Sequence, residues 1–225
     1  DIIQSARIKY TSEPPKLRDM ILASTDFVGG LATKVAPVAN FALGLKPTKA
    51  VMDTVLKVDK HRTFPKYASR TFESWYKKNV KAFQDTFKRH VSFFHGCYVN
   101  YNYPQLGKDL ISVMNALGYG VHLLENEKCC GTALISNRMI DQAKKNAVNN
   151  VESIRKSVYE RQMPVIGTSS SCNFTIRDEY PHLLGIDNAD VRDYIELATR
   201  FIYRLIEEEK VKLVFFEEQY TVRKP

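Results

Sequence analysis

The chain has 225 residues, of which 44% are hydrophobic and 26% are charged, and its formal net charge is +8. This composition is that of an ordinary globular protein, and it excludes a disordered chain, a collagen-like repeat and a disulfide-dense mini-protein. The length allows one large domain, or one domain of ordinary size with an extension. Because the first residue is Asp1, we expect an internal fragment or a processed product.

The positive charge is concentrated in the first part of the chain. Residues 1–91 hold 17 Lys or Arg and 8 Asp or Glu, whereas residues 92–225 hold 16 and 17. A basic N-terminal arm on a nearly neutral domain favours contact between the arm and an anionic membrane surface, an acidic partner or a polyanion. A uniformly basic chain would indicate nucleic acid instead, and we predict no nucleic-acid partner.

The arm is predicted to be helical from about Leu17 to Val58, and an aromatic, basic stretch after it predicts a further helix. Residues 27–45, FVGGLATKVAPVANFALGL, approach the length of about 20 residues that a membrane-spanning helix needs. Two glycines and Pro37 interrupt this stretch, and Lys34 lies near its middle. We therefore predict two short amphipathic helices and no single span.

The apolar faces of these helices have two possible uses. Lysines and arginines follow directly, and an apolar helix with a basic flank can lie in a membrane interface, here through residues 17–70. The same helices can instead cover the neighbouring domain, with the lysines in solvent. Hydrophobic periodicity does not separate the two uses, because each needs one apolar face. We expect residues 1–90 to form the arm and residues 91–225 to form a cysteine-rich α/β domain.

From residue 91 onward, strand patterns alternate with helix patterns. Short apolar runs predict strands at 91–94, 121–124, 164–167 and 211–216. Stretches with apolar residues on one face predict helices at 104–117 and 191–210, and a long polar helix is predicted at 138–161. This alternation is typical of an α/β fold with an open, largely parallel, Rossmann-like sheet and flanking helices. Such sheets place their sites beyond the carboxyl ends of the strands.

All four cysteines of the chain follow these predicted strands. Cys97 follows the first strand, Cys129 and Cys130 follow the second, and Cys172 follows the third. Because the three loops leave neighbouring strands at the same edge of the sheet, we predict that the four thiols meet in one crevice.

Four converging thiols favour an iron–sulfur cluster. A structural zinc site usually has Cys-x-x-Cys pairs, which this chain lacks, and adjacent cysteines chelate one ion poorly. A disulfide is disfavoured in a reducing compartment, and the sequence shows no exported character. A cluster is larger than one ion, so adjacent thiolates can bind different irons. Buried, inert cysteines remain the alternative.

Residues next to the cysteines are candidates for contact with the cofactor. Gly131 allows the backbone to approach closely. Ser169 and Ser171 provide donors that can bond cluster sulfurs. His95 is either a ligand or donor at the cluster edge, or a packing residue at the end of a strand. The chain has no P-loop and no glycine-rich dinucleotide motif, which argues against nucleotide binding.

The cysteine pattern resembles the cysteine-rich CCG family. The resemblance is carried by Cys97, by Cys129-Cys130-Gly131 and by Cys172, within the segments FFHGCYVNYNYPQLGKDLI, EKCCGTALISN, NVESIR, TSSSC, RDEYPHLL and IELATRF. These segments, with LKPTKAVMD and RTFPKY in the arm, are similar to the members of that family that are iron–sulfur subunits of anaerobic glycerol-3-phosphate dehydrogenases. The similarity covers nearly the whole chain.

The resemblance implies a non-catalytic electron-transfer subunit whose four cysteines hold a cluster of the 4Fe–4S type. Such a subunit takes electrons from flavin-containing dehydrogenase subunits, passes them towards the quinone pool, and lies peripherally on the cytoplasmic face of the bacterial inner membrane. The resemblance also implies a middle fragment that lacks a ferredoxin-like region and a second CCG domain. The alternative is a catalytic subunit of the heterodisulfide or thiol–disulfide reductase type. Ser169 weighs against it, because the fullest family motif has a further cysteine there.

Overall fold

A computed structural model describes residues 2–10 and 14–208 of the chain. The arm is a series of short helices: α1 Ile2–Tyr10, α2 Leu17–Ala23, α3 Thr25–Lys34, α4 Ala36–Gly44 and α5 Lys46–Leu56. Helices α4 and α5 each have proline in their first turn, where the missing N–H costs nothing. The stretch predicted to form two helices does so, with α3 and α4 bent by 106° to one another.

No single helix of the described residues combines the length and the hydropathy needed to cross a membrane. Helices α3 and α4 pass that test together, as a bent pair.

The rest of the described chain is an α/β fold around a four-stranded sheet. The strands are β1 Arg89–Phe94, β2 Tyr119–Leu123, β3 Val165–Gly167 and β4 Ile195–Leu197, in the spatial order β2-β1-β3-β4. Each neighbouring pair is parallel, which confirms the predicted parallel sheet. The helices of this part are α6 Phe72–Asn79, α7 Lys81–Gln84, α8 Gly96–Tyr101, α9 Pro104–Ala116, α10 Thr132–Ser136, α11 Ile140–Arg155, α12 Ser170–Phe174 and α13 Ala198–Glu207, with π-helical segments Lys156–Glu160 and Thr175–Leu184 and a 3₁₀ turn Arg192–Tyr194.

Helices cover both faces of the sheet. Successive side chains of a strand point to opposite sides, so apolar side chains of one strand pack into a cluster on each face. Val91 and Phe93 of β1 lie in one buried cluster, together with Met114 of α9. Phe94 lies in a second cluster, together with Ile154 of α11. The buried adjacent cysteines belong to this second cluster.

The structure differs from the sequence prediction near the last strand. Residues 195–197 were expected inside a helix over 191–210, but they form β4, and the helix begins at Ala198. Ile195 is fully buried, and a strand of three residues is too short to show a period in the sequence. The predicted strand at 211–216 lies outside the described residues.

Short helices also follow three of the strands. The loop expected over residues 128–136 contains α10, and α8 and α12 follow β1 and β3. These helices have only five or six residues; α8 contains Cys97, α12 contains Cys172, and Cys129 and Cys130 directly precede the N-cap of α10. Helices of that length lack the repeated apolar spacing that identifies longer ones.

Candidate functional site

The four cysteine thiols lie together at the carboxyl end of the sheet. Cys97 Sγ is 3.8 Å from Cys129 Sγ, and Cys130 Sγ is 3.3 Å from Cys172 Sγ. Cys129 and Cys130 are buried, and the other two are half-buried. The structure therefore brings together the thiols that the strand order was expected to gather, and their role as ligands stays a prediction.

The beginnings of the short helices fix where the cysteines lie. Gly96 begins α8 and Gly131 precedes α10, with φ of +70° and +92°. This left-handed backbone favours glycine, since it has no Cβ. At α12, Ser169 is the N-cap, and its Oγ accepts a hydrogen bond from Cys172 N at 3.3 Å. Ser171 is exposed on the same helix.

Two asparagines of α11 hold the loop that bears the adjacent cysteines. Asn150 accepts a hydrogen bond from the backbone N–H of Lys128 at 2.9 Å and donates to the carbonyl of the same residue at 3.0 Å. Asn146 donates to the carbonyl of Cys129 at 3.1 Å. Buried backbone N–H and C=O groups need hydrogen-bond partners. In this loop, asparagine side chains are the partners that backbone groups would be in a sheet or helix.

Tyr180 holds the same loop from the π-helical segment. Its hydroxyl donates to the carbonyl of Cys130 at 2.9 Å and accepts from Asn150 Nδ2 at 3.1 Å. Burial raises the pKa of Tyr180 well above its usual value, so the hydroxyl keeps the proton that it donates. The sequence segment RDEYPHLL contains this tyrosine, but its local pattern gives no sign of a contact 50 positions away.

Glu127 holds the loop that bears Cys97. Its carboxylate accepts hydrogen bonds from the backbone N–H groups of His95 at 3.1 Å and Gly96 at 2.7 Å. Burial raises the pKa of Glu127 to about 7. His95 Nδ1 lies 3.2 Å from Glu127 Oε1, and its ring packs edge-on against Phe72. His95 therefore lies between an aromatic ring and a carboxylate at the end of β1.

Hydroxyl groups lie on another side of the thiols. Thr132 Oγ1 is 3.2 Å from Cys130 Sγ and 2.7 Å from Thr175 Oγ1. Thr175 in turn donates to Glu179 at 2.5 Å. Sequence reasoning missed these threonines, although Thr132 directly follows the Cys-Cys-Gly triplet.

The arm also reaches the cysteines. Asp26 Oδ2, on α3, accepts a hydrogen bond from Cys129 N at 2.8 Å. Burial raises the pKa of Asp26. Among the described residues Thr25 Oγ1 is buried without a partner of standard geometry, yet it lies close enough to the thiols of Cys97 and Cys129 to stabilise their thiolate forms. Sequence reasoning missed Asp26, because 103 positions separate it from Cys129.

The thiols shift one another's pKa in opposite directions. Hydrogen bonds from neighbouring thiols, first that of Cys130, lower the pKa of Cys129 and of Cys172. The bond to Cys129 raises the pKa of Cys97 and of Cys130. The lowered pKa of Cys129 and of Cys172 favours their thiolate forms, and the thiolate is the form that binds soft metals.

The donor set is chemically suited to an iron–sulfur cluster, because four soft ligands arrive from three loops. The buried amide of Asn173, which follows Cys172 in the chain, has no hydrogen-bond partner among the described residues, and it lies against Gly167 at the end of β3. Within the described ranges, no three or more His, Cys, Asp or Glu side chains are arranged to hold a single metal ion.

A polar cavity of about 690 Å³ opens beside two of the thiols. Cys97 and Cys129 line one side of it, and the cationic side chains of Lys77, Lys128 and Arg161 line others. A small molecule therefore has access to one edge of the cysteine site.

Comparison with known proteins places these cysteines in a recognised domain. Residues 91–177 match the model of the CCG cysteine-rich domain. The C subunit of the anaerobic glycerol-3-phosphate dehydrogenase of Escherichia coli (strain K12) is 53% identical over 210 residues, which are 93% of this chain and 53% of the relative. The chain thus spans about half the length of that relative.

More distant relatives match smaller parts. An uncharacterized iron–sulfur protein of Methanocaldococcus jannaschii is 30% identical over 112 residues, covering 50% of this chain and 22% of the relative. Lactate utilization protein A of Bacillus subtilis (strain 168) is 32% identical over 97 residues, covering 43% and 38%. No solved structure matches the chain. Residues 91–177 of the chain thus match the CCG cysteine-rich domain, and over 93% of its length the chain is similar to the C subunit of an anaerobic glycerol-3-phosphate dehydrogenase.

Proposed function

We propose that Cys97, Cys129, Cys130 and Cys172 bind an iron–sulfur cluster of the 4Fe–4S type, and that the chain is a non-catalytic electron-transfer subunit. The observation that carries this proposal is the meeting of four thiols from three strand ends, with sulfur–sulfur distances of 3.3 and 3.8 Å in two pairs. The CCG domain and the iron–sulfur relatives support the cofactor. A bound cluster supplies reversible one-electron transfer.

The surrounding residues have supporting roles in this proposal. Gly131 lets the backbone approach the cofactor, and Ser169 fixes the N–H of Cys172. We place Ser171 and His95 at the edge of the cofactor site, as the sequence suggests. The proposal keeps residues 91–225 as the cofactor domain and residues 1–90 as the arm, with Phe72 of α6 packed in one buried cluster with Val91 and Phe93 of β1.

Anaerobic reconstitution of the chain with iron and sulfide tests the cofactor. We expect about four irons and four sulfides per chain and a low-temperature EPR signal on reduction. Cys129→Ser should lose most of this iron, whereas Ser74→Ala, an exposed serine of α6, should keep it. An iron-free wild-type chain, with Cys129→Ser indistinguishable from it, rejects the proposal.

We further propose that the electrons come from flavin-containing subunits of an anaerobic glycerol-3-phosphate dehydrogenase and go towards the quinone pool. The similarity to the C subunit of that enzyme supports this assignment. The test is co-expression with the flavin-containing subunits of the same organism. Glycerol 3-phosphate should then reduce the cluster and, in the presence of a quinone analogue, the quinone. Reduction of the flavin without reduction of the cluster contradicts the proposed partners.

The arm is proposed to hold the complex peripherally on the cytoplasmic face of the bacterial inner membrane. Apolar side chains of α3 and α4 are exposed: Phe27 by 75%, Leu31 by 57%, Val38 by 69% and Phe41 by 70%. Basic residues follow these helices, and such a combination binds anionic lipid surfaces.

Sedimentation with anionic lipid vesicles tests the arm. The double variant Phe27→Ser with Phe41→Ser should bind the vesicles much more weakly than wild type. Phe83→Ser is the matched control, because Phe83 is 57% exposed but lies outside the two apolar helices. Equal sedimentation of all three proteins, or none by wild type at low salt, removes the membrane role.

A catalytic thiol–disulfide or heterodisulfide reductase is the second candidate. The cavity beside Cys97 and Cys129 favours it, because a disulfide substrate could reach those sulfurs. Reductase assays of the reconstituted chain with small disulfides decide between the two. Turnover that disappears in Cys97→Ser supports this candidate, and its absence in a chain with a full cluster rejects it.

A further inference from the structure

We propose that Asp26 of the arm is a positioning residue for Cys129, and that it sets the reduction potential and the retention of the cluster. The inference rests on the proposed function, because it concerns a cluster bound by Cys129. It makes the arm a part of the cofactor site, in addition to any contact that the arm makes outside the molecule.

Asp26 and a residue of the α/β domain fix the two polar backbone groups of Cys129. Asp26 Oδ2 accepts from Cys129 N at 2.8 Å, while Asn146 of α11 donates to Cys129 O at 3.1 Å. The two bonds together orient this residue. The neighbouring carbonyls of Lys128 and Cys130 are bonded to Asn150 and Tyr180, outside the arm.

Packing at both sides of Asp26 holds α3 in place. Ala23, just before α3, is buried in the same cluster as Cys129 and Cys130. Gly29, one turn after Asp26, lies against the ring of Tyr101 so closely that a Cβ would collide with it. A side chain on a packed helix is held more precisely than one on a free loop, which suits a residue that positions a ligand.

The hydrogen bond has a consequence for the electronic properties of the site. Backbone N–H groups that point at cluster sulfurs raise the reduction potential, and nearby negative charge lowers it. Because Asp26 engages the N–H of Cys129, that donor is turned towards the carboxylate. Removing the carboxylate should therefore raise the potential, since a negative group is lost and the N–H becomes available.

Two substitutions separate the effect of the hydrogen bond to Cys129 N from the effect of the negative charge of Asp26. Asp26→Ala removes both, whereas Asp26→Asn keeps an oxygen that can accept from Cys129 N. Asp53→Asn is the control, because Asp53 lies on α5 of the same arm and makes no hydrogen bond to the site among the described residues. All variants are made in the 225-residue chain and checked for native secondary structure by circular dichroism.

The first measurement needs no cluster. Amide hydrogen exchange in the metal-free chain, read at Cys129, should accelerate in Asp26→Ala by about ten- to a hundredfold, which is the range expected for loss of a hydrogen bond to a charged group. Asp26→Asn should retain most of the protection, and Asp53→Asn should match wild type.

The second measurement is a redox titration of the reconstituted chain, followed by EPR, with iron retention during dilution. The expected result is a higher midpoint potential in both Asp26 variants, with faster iron loss in Asp26→Ala and wild-type behaviour in Asp53→Asn. Unchanged exchange at Cys129 together with an unchanged potential overturns the inference. If wild type holds no iron, the proposed function fails, and the exchange comparison alone decides whether Asp26 positions Cys129.

Discussion

Replacing Tyr180 with phenylalanine measures how strongly the loop with the adjacent cysteines is held. Tyr180 is 0% exposed, and its hydroxyl makes two hydrogen bonds, at 2.9 Å to Cys130 O and at 3.1 Å from Asn150 Nδ2. The substitution removes the hydroxyl but leaves both partners buried. Each unpaired partner costs about 1–3 kcal/mol, and the partly exposed loop can relax. We therefore expect the free energy of unfolding of Tyr180→Phe to fall by about 2–4 kcal/mol.

The assay is urea unfolding of the metal-free chain, followed by circular dichroism. Tyr159→Phe is the matched control: its hydroxyl also donates to a backbone carbonyl, that of Asp190 at 2.8 Å, but the residue is 54% exposed. Water can replace that bond, so the control should lose less than about 0.5 kcal/mol. If Tyr180→Phe loses no more than Tyr159→Phe, the loop is held by something other than these bonds, and the reasoning is refuted.

Three further predictions concern stability. Burial and His90, 3.1 Å away, lower the pKa of His122, so the unfolded chain binds more protons than the folded chain. The free energy of unfolding, measured by urea titration at each pH, should therefore fall as pH drops from about 7.5 to 5.5. The fall should be smaller in His122→Asn. Glu127→Ala leaves two buried N–H groups unpaired and should cost about 2–4 kcal/mol, against no loss for the exposed Glu160→Ala; equal losses would contradict the role given to Glu127. Gly131→Ala should lower the thermal midpoint by the equivalent of about 1–2 kcal/mol, because φ is +92°, although the added Cβ would make only ordinary contact with Ala143. Gly44→Ala, in open space at a helix end, should not lower the midpoint.

The sheet could be predicted because its strands are short apolar runs bounded by turns. The three runs that bear the cysteines are strands β1, β2 and β3 in the structure. Long helices such as α9 were also predictable, since Pro104 begins it and Gly118, with φ of +80°, follows its end. The strand β4 was not predictable, because its three residues gain their conformation from pairing with β3 and not from their own pattern.

In the cysteine site, too, some residues could be predicted from the sequence and others could not. Its thiols could be predicted from the sequence because they are few and each follows a strand. The residues that hold them could not: Glu127, Asn146, Asn150 and Tyr180 are polar or aromatic residues of common types, and nothing in their local spacing marks them. Their role comes from contacts that the fold creates, such as the two hydrogen bonds between Asn150 and the backbone of Lys128, 22 positions earlier.

The arm shows why amino-acid composition identifies exposed charged residues more readily than residues that make buried contacts. Its excess of lysine and arginine predicts a separate basic segment with a boundary near residue 90. Charge of this kind reports exposed residues, because lysines are seldom buried. The contacts that join the arm to the cysteines are made by Ala23, by Thr25 and by the acidic Asp26, which add nothing to the basic count. A segment can thus look like an appendage by its net charge while a few uncharged or oppositely charged residues make it part of the site.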